Sequence, residues 1–155
     1  MFGSQKKLGE ILIKKGLLTL EQLNTALLEQ KKTKEFLGAI LLKMKWIKEK
    51  DLLEALSEQF NIPTDTLENK YIDWNLLKHF SSSLILDQRC FPIRKDDWSV
   101  TVAITNPLDA WALKKAEEEA MPLHLKLILV PENSMREAVL RYQQYMRANI
   151  SKFFK

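Results

Sequence analysis

The chain has 155 residues, of which 46% are hydrophobic and 28% charged, with a formal net charge of +4. This balance is typical of one globular domain or two small ones, and it excludes a wholly disordered or collagen-like chain. No apolar run approaches the ~20 residues of a transmembrane helix, the N-terminus lacks a signal-peptide stretch, and Cys90 alone cannot form an internal disulfide. We therefore expect a cytoplasmic protein without direct membrane insertion.

The excess positive charge lies in the first third of the chain. Residues 1–59 hold eleven lysines against eight acids and contain no arginine. Because Lys and Glu alternate there, the pattern indicates either a solvated helical surface or a site for a phosphate ligand or an acidic partner. Nucleic acid is not expected as a partner, since duplex readout and phosphate clamping favour arginine.

The first sixty residues contain an internal repeat. Lys7–Gln30 and Phe36–Gln59 align without a gap at a shift of 29 residues, with ten of 24 positions identical and a five-residue spacer, Lys31–Glu35. In each copy, apolar residues recur at helical spacing on both sides of a short break, which predicts a helical hairpin. Residues 1–60 are therefore expected to form a four-helix unit.

The breaks inside the two copies carry different helix-boundary signals. In the first copy, Gly16 is placed to end a helix, and Thr19 with Gln22 fits a capping box for the next one. In the second copy, Lys45 stands where Gly16 stood and Lys48 stands where Thr19 stood. The stop glycine and the cap are therefore expected to be lost there.

Gly9 and Gly38 occupy equivalent positions, which we place in the first turn of a predicted helix. Glycine costs ~1 kcal/mol relative to alanine in a helix, so its presence needs a reason. A bare backbone allows either close helix–helix packing or the approach of a ligand to helix amides, as in phosphate sites. Both interpretations remain open at this point.

The remaining residues predict a small α+β subdomain over residues 74–149, after a polar linker, 61–73, and before a tail, 150–155. Pro92 at the start of the first strand indicates an edge strand, and the next helix is expected to be capped near Asn106 or Asp109. The subdomain would have three strands and about three helices. The main predicted elements are a helix from Trp74, a hairpin over 91–104 with its turn at 94–97, a helix over 109–120, a strand over 123–130 and a helix over 132–149.

The sequence lacks the usual catalytic patterns. It has no G-x-x-x-x-G-K-[ST] and no G-x-G-x-x-G, so no standard phosphate-binding loop is available. His79 and His124 do not occur in metal-binding motifs, Cys90 is expected to pack as a small apolar residue, and the four tryptophans are expected in the core. We therefore expect no enzyme, no metal and no resident cofactor.

The doubled segment resembles the N-terminal domain of type II secretion and type IV pilus assembly ATPases, the general secretory pathway protein E family. The family pattern is R-L-G-x-x-L-x-x-x-G, six residues, and L-x-x-A-L-x-x-Q, and it occurs twice with a five-residue spacer. The second half is also similar to this family, at Asn106–Asp109 (N-P-L-D) and over residues 122–145. The repeat matches are Leu8, Gly9, Leu12, Gly16, Leu23, Ala26, Leu27 and Gln30 in the first copy, and Leu37, Gly38, Leu41, Leu52, Ala55, Leu56 and Gln59 in the second.

This resemblance implies a non-catalytic regulatory and docking domain of a secretion or pilus-assembly system. Its partner would be the inner-membrane platform protein or the assembly ATPase, so the domain would be cytoplasmic and peripheral at the inner membrane through that partner. The ATPase region of the family is absent from these residues. A fragment of an ATPase and a standalone adaptor both remain open.

The resemblance also implies an alternative function, because the doubled motif of one subgroup of the family binds cyclic di-GMP. This sequence departs from the pattern: Lys7 and Phe36 replace the motif arginines, and Lys45 replaces a glycine. Phe36 could still stack on a base and Lys45 could meet a phosphate. The ligand-binding residues under this alternative are Lys7, Leu8, Gly9, Leu12, Gly16, Leu23, Leu27, Gln30, Phe36, Leu37, Gly38, Leu41, Leu52, Leu56 and Gln59.

Overall fold

The computed structural model describes the backbone of residues 2–153 and the side chains of residues 7–150. The chain divides into two compact units, Met1–Ile62 and Pro63–Lys155. The first unit is helical in its described part, and the second combines helices with a three-stranded sheet. The expected α+β fold class is confirmed.

The first unit consists of two helical hairpins. The first helix of the first hairpin packs against the second helix of the second hairpin, and the other two helices pack together, so each helix of one hairpin has a partner in the other. Apolar residues from both hairpins meet in one core, where Leu8, Leu12, Leu37 and Leu41 are fully buried. The helices are α1 (Phe2–Lys14), α2 (Leu20–Thr33), α3 (Leu37–Lys43) and α4 (Glu49–Phe60).

The sheet of the second unit consists of β1 (Cys90–Lys95), β2 (Ser99–Ile104) and β3 (His124–Leu129). Its strand order is β1-β2-β3, with β1 antiparallel and β3 parallel to β2. Pro92 lies in β1 and so in an edge strand, as predicted, and the register shifts by one residue between Pro92 and Arg94. Within the described residues, the helices of the second unit are α5 (Trp74–Leu77), α6 (Ser82–Leu86), α7 (Ala110–Ala120) and α8 (Glu132–Phe153).

Two stretches differ from the expectations drawn from sequence. Within the expected linker, Thr64 pairs with Leu129, and Leu67 and Ile72 are buried, so residues 63–73 are part of the second unit. Because the residues around Leu67 and Ile72 are polar, composition alone predicts a linker here. The expected tail begins inside α8, which continues to Phe153, while residues 154–155 of that tail lie outside the described residues.

Candidate functional site

Gly9 and Gly38 are each covered by a leucine of their own hairpin. A β-carbon placed on Gly9 would lie 2.6 Å from Cδ1 of Leu23, and one on Gly38 would lie 2.8 Å from Cδ1 of Leu52. Both distances are shorter than ordinary van der Waals contact between carbon atoms. Both glycines are buried, and the repeat therefore uses each of them for close helix–helix packing.

The expected position of Gly9 in a first helical turn is wrong. Helix α1 begins at Phe2, because the helix extends N-terminally past the first apolar repeat position. The amide of Gly9 therefore lies in the helix interior, where N–H groups bond to the preceding turn. Gly38 does lie in a first turn, as the second residue of α3.

The first helix of each hairpin ends in the same backbone motif. The Gly16 amide donates to the Ile13 carbonyl and the Leu17 amide to the Leu12 carbonyl, and the residues 29 positions later repeat both bonds. These two bonds define a Schellman motif. The loss of the stop glycine in the second copy therefore leaves the helix end intact.

The second helix of each hairpin begins with different capping chemistry. Thr19 and Gln22 form the predicted capping box, with hydrogen bonds of 2.9 and 3.1 Å. In the second hairpin the Asp51 carboxylate accepts from the Lys48 amide at 3.2 Å. Because the lysine side chain cannot accept a hydrogen bond, only one half of the box is kept.

Most motif leucines belong to the core of the first unit. Four of them are fully buried, and Leu23 and Leu56 are nearly so. Leu27 and Leu52 are half-buried, so they reach the surface of the unit. The fully buried four are Leu8, Leu12, Leu37 and Leu41.

The polar and substituted motif positions lie at or near the surface. Lys7 and Phe36, which stand where the family pattern has arginine, are both exposed, and Phe36 precedes α3 as its N-cap. Gln30 is half-buried and donates from Nε2 to the Glu35 carbonyl at 3.0 Å. This hydrogen bond connects the last residue of the spacer to α2. Gln59 is half-buried on α4.

Helix α2 also exposes leucines outside the core. Leu20 is 64% and Leu28 is 61% exposed, and the half-buried Leu27 lies two turns from Leu20 and next to Leu28 in the chain. We name Leu20, Leu27 and Leu28 the α2 surface. Lys31 and Lys32 follow in the last turn of the helix, so basic side chains adjoin this apolar surface.

In the second unit, the N-P-L-D segment has a structural role. Asn106 Oδ1 accepts from the Leu108 amide, and Asp109 caps α7 by accepting from the Ala112 amide. Arg89 donates to both carboxylate oxygens of Asp109 at 2.7 and 2.6 Å. This guanidinium, more than the cap, holds the pKa of Asp109 below its usual range.

The described residues contain no group of three or more metal-ligating side chains. Cys90 is buried, and burial raises the pKa of its thiol to about 12, so the thiol is unsuited to nucleophilic chemistry. His79 and His124 are exposed and lie apart in the chain. Within residues 2–153 no helix combines the length and apolarity needed to cross a membrane.

Comparison with known proteins identifies the family of this fold. A family model described as the MshEN domain matches residues 60–149, more than half of the chain. The chain belongs to the MshEN domain family. This confirms the resemblance to the N-terminal domains of secretion and pilus assembly ATPases.

Two relatives of this MshEN domain are much longer proteins. The type IV pilus assembly ATPase PilB of Myxococcus xanthus is 26% identical over 136 residues, which are 88% of this chain and 24% of that protein. PilB of Thermus thermophilus is 28% identical over 115 residues, which are 73% of this chain and 13% of that protein. The matched segment therefore spans less than a quarter of the length of either relative.

Solved structures share the fold of this MshEN domain. A structure of MshE with cyclic di-GMP aligns with a TM-score of 0.79 at 24% identity, covering 87% of this chain and 97% of that one. The N-terminal domain of XpsE aligns with a TM-score of 0.64 at 18% identity, covering 89% and 94%. Both alignments include most of the repeat as well as the second unit, since each covers more of this chain than either unit provides.

Two surface features of the second unit escaped prediction from sequence. The tryptophans were expected in the core, but Trp98 is 78% exposed and Trp111 more than half exposed, with the Arg89 guanidinium 4.5 Å from the Trp111 ring centroid. The outer edge of β3 is the other feature. Its only sequence signal is the alternation of His124 and Lys126 with leucines.

Proposed function

We propose that this MshEN domain is a non-catalytic regulatory and docking domain of a type IV pilus or type II secretion system. It contacts the inner-membrane platform protein or the assembly ATPase. The observation that carries the proposal is the close packing of a leucine against each of two glycines, Leu23 against Gly9 and Leu52 against Gly38. Because the repeat uses its motif residues for internal packing, its remaining apolar side chains are available to a partner.

The α2 surface is the docking face in this proposal. Exposed apolar side chains beside a charged rim are typical of protein interaction sites, in which a few well-buried anchors supply most of the affinity. Lys31 and Lys32 supply a basic rim here. The matching surface on the partner would be an apolar pocket with acidic residues around it, which also explains the excess of lysine in the first unit.

Binding of the whole chain to the cytoplasmic region of the platform protein, measured by biolayer interferometry, tests this proposal. Replacing Leu28 by glutamate should weaken binding at least about tenfold, because a charge would enter an apolar contact. Leu140→Glu is the matched control, since Leu140 is also an exposed leucine on a helix but belongs to α8 of the second unit. Equal affinities of both variants and the parent chain would exclude the α2 surface.

Cyclic di-GMP binding is the second candidate function. It is favoured by the TM-score of 0.79 with MshE, whose structure was solved with this ligand. In this proposal the exposed Lys7 meets a phosphate, Phe36 stacks on a guanine, and Gln30 and Gln59 contribute amide groups. The half-buried leucines, Leu27 and Leu52, would contact the bases.

Calorimetric titration distinguishes the two candidates. A cyclic di-GMP sensor should bind at micromolar concentration or tighter, and Lys7→Ala should weaken that binding because a positive charge is lost. GTP serves as the control for an unspecific guanine or phosphate effect. No heat at high micromolar ligand would leave the repeat as a docking scaffold.

A further inference from the structure

The backbone of β3 alternates between its two sides. The His124 amide donates to the Trp98 carbonyl on the β2 side, whereas the Leu129 amide donates to the Pro63 carbonyl on the other side. Since residues two apart in a strand direct their backbone groups the same way, Leu125 and Leu127 also direct theirs away from β2. Within residues 2–153, no backbone group pairs with that side of Leu125 or Leu127.

The chain itself pairs with the far end of this edge. Residues 63–65 lie beside β3 in a parallel bridge, and Leu129 both donates to Pro63 at 2.8 Å and accepts from the Asp65 amide at 3.0 Å. The outer edge of β3 is therefore geometrically competent to bind an extended segment. This pairing ends before Leu127, so two outward backbone positions of the strand are left open.

An apolar groove follows the open part of the edge. It has a volume of about 690 Å3 and runs between α7 and β3. Its lining is mostly apolar, with Leu113, Met121, Leu125 and Leu127 among its members, and it also includes Glu117 and His124. Side chains of a strand alternate between the two faces of a sheet, so Lys126, which does not line the groove, lies on the face opposite Leu125 and Leu127, where it is exposed. The groove face of the edge is thus mostly apolar, and the opposite face carries the basic Lys126.

We propose that the open edge of β3 binds an extended segment of another protein in which apolar residues alternate with acidic ones. The backbone of that segment would pair with Leu125 and Leu127, its apolar side chains would enter the groove, and its acidic side chains would lie beside Lys126. A second copy of the chain fits less well, because pairing two β3 edges brings the basic side chains of both copies together on one face.

The inference goes beyond the docking function proposed above, since it concerns another unit and needs no platform protein for its test. The probe is a short capped peptide alternating valine and glutamate, and a peptide alternating valine and lysine is its control. Amide exchange of the whole chain, followed by NMR, should show slower exchange at Leu125 and Leu127 with the acidic peptide alone. Exchange in the first unit should stay unchanged.

Variants of the edge test its backbone and its charge separately. Leu127→Pro removes an outward amide, so it should bind the acidic peptide about tenfold more weakly than Leu127→Ala, which removes the side chain and keeps the amide. Lys126→Glu lies on the exposed face and should reverse the preference between the two peptides. The proposal is overturned if the slower exchange appears at other amides, if neither peptide binds, or if Lys126→Glu leaves the preference between the peptides unchanged.

Discussion

Lys45 adopts the same left-handed backbone conformation as Gly16, its counterpart in the first copy of the repeat. The φ angle is +58° at Lys45 and +74° at Gly16. A β-carbon makes this conformation unfavourable by roughly 1–2 kcal/mol, which glycine avoids. The second hairpin therefore keeps the turn geometry of the first, although lysine is poorly suited to a left-handed conformation.

Replacing Lys45 by glycine should stabilise the protein by about 1 kcal/mol, because the strain of the left-handed residue is relieved. Urea denaturation followed by circular dichroism measures the change. Gly16→Lys is the reciprocal control: no atom lies within 4 Å of a β-carbon at Gly16, so its cost reports the backbone alone. Unchanged stability of both variants would mean that the turn relaxes to another conformation.

Gly9→Ala should destabilise the protein by about 1 kcal/mol. Its β-carbon would lie 2.6 and 2.8 Å from the two terminal carbons of the buried Leu23, and overpacking of this kind costs ~1–3 kcal/mol, of which helix propensity returns ~1. Gly38→Ala should be closer to neutral, because the equivalent distances to the half-buried Leu52 are 2.8 and 3.1 Å. Denaturation curves of the two variants measure the difference.

A double-mutant cycle separates packing from propensity at this contact. In the Leu23→Ala background the clash at Gly9 is absent, so Gly9→Ala should become neutral or stabilising. The coupling between the two substitutions should then be about 1 kcal/mol. An additive double mutant would contradict the role of Leu23 in closing over the glycine.

Asp109→Asn should make the stability of the second unit less dependent on acid pH. The folded pKa of Asp109 is lowered by Arg89, so its ionic stabilisation is complete above the unfolded value near 3.8 and is lost as pH falls through the folded pKa. Asparagine still caps α7, so only the charge pair is removed. We expect a loss of about 1 kcal/mol at pH 7, a modest value because the pair is partly exposed.

The stability difference between Asp109→Asn and the parent chain should shrink below pH 4 and vanish once Asp109 is protonated in both states. Thermal unfolding between pH 7 and pH 2 measures it. Glu117→Gln on the exposed part of α7 serves as the control, with a small difference at every pH. A stability difference between Asp109→Asn and the parent chain that does not change with pH would show that Asp109 stabilises the fold through its shape and not through its charge.

The repeat is the part of the fold that the sequence predicts well. A shift of 29 residues aligns both hairpins, and the structure repeats the Gly9–Leu23 contact as Gly38–Leu52. These interactions are local, and their spacing is a property of each helix pair. The sequence shows that the two glycines are unusual inside a helix. Their packing role becomes visible only when the position of the facing helix is known.

Features that depend on distant contacts could not be predicted. The burial of Leu67 and Ile72 and the pairing of Thr64 with Leu129 join segments far apart in the chain, whereas local composition indicates a polar linker. The open edge of β3 likewise depends on which strand becomes its single neighbour. A hydrophobic alternation predicts a strand but does not state which of its sides is paired.

Restoring the family pattern should create or strengthen binding of cyclic di-GMP. The triple variant Lys7→Arg, Phe36→Arg and Lys45→Gly returns two planar guanidinium groups and one glycine to the doubled motif, and it leaves the net charge unchanged. Lys7 and Phe36 are exposed and Lys45 already has a positive φ angle, so the fold should tolerate all three changes. Calorimetry should show at least about tenfold tighter binding than in the parent chain.

The triple variant also separates a degenerate ligand site from a scaffold. Because its net charge equals that of the parent, a gain in affinity cannot come from general attraction of a phosphate ligand to a more basic protein. The single variants then show which position matters: Phe36→Arg should give the largest gain, since it alone adds a charge at a motif position. No binding by the triple variant would mean that the packing of the motif glycines and leucines is the whole reason for the repeat in this chain.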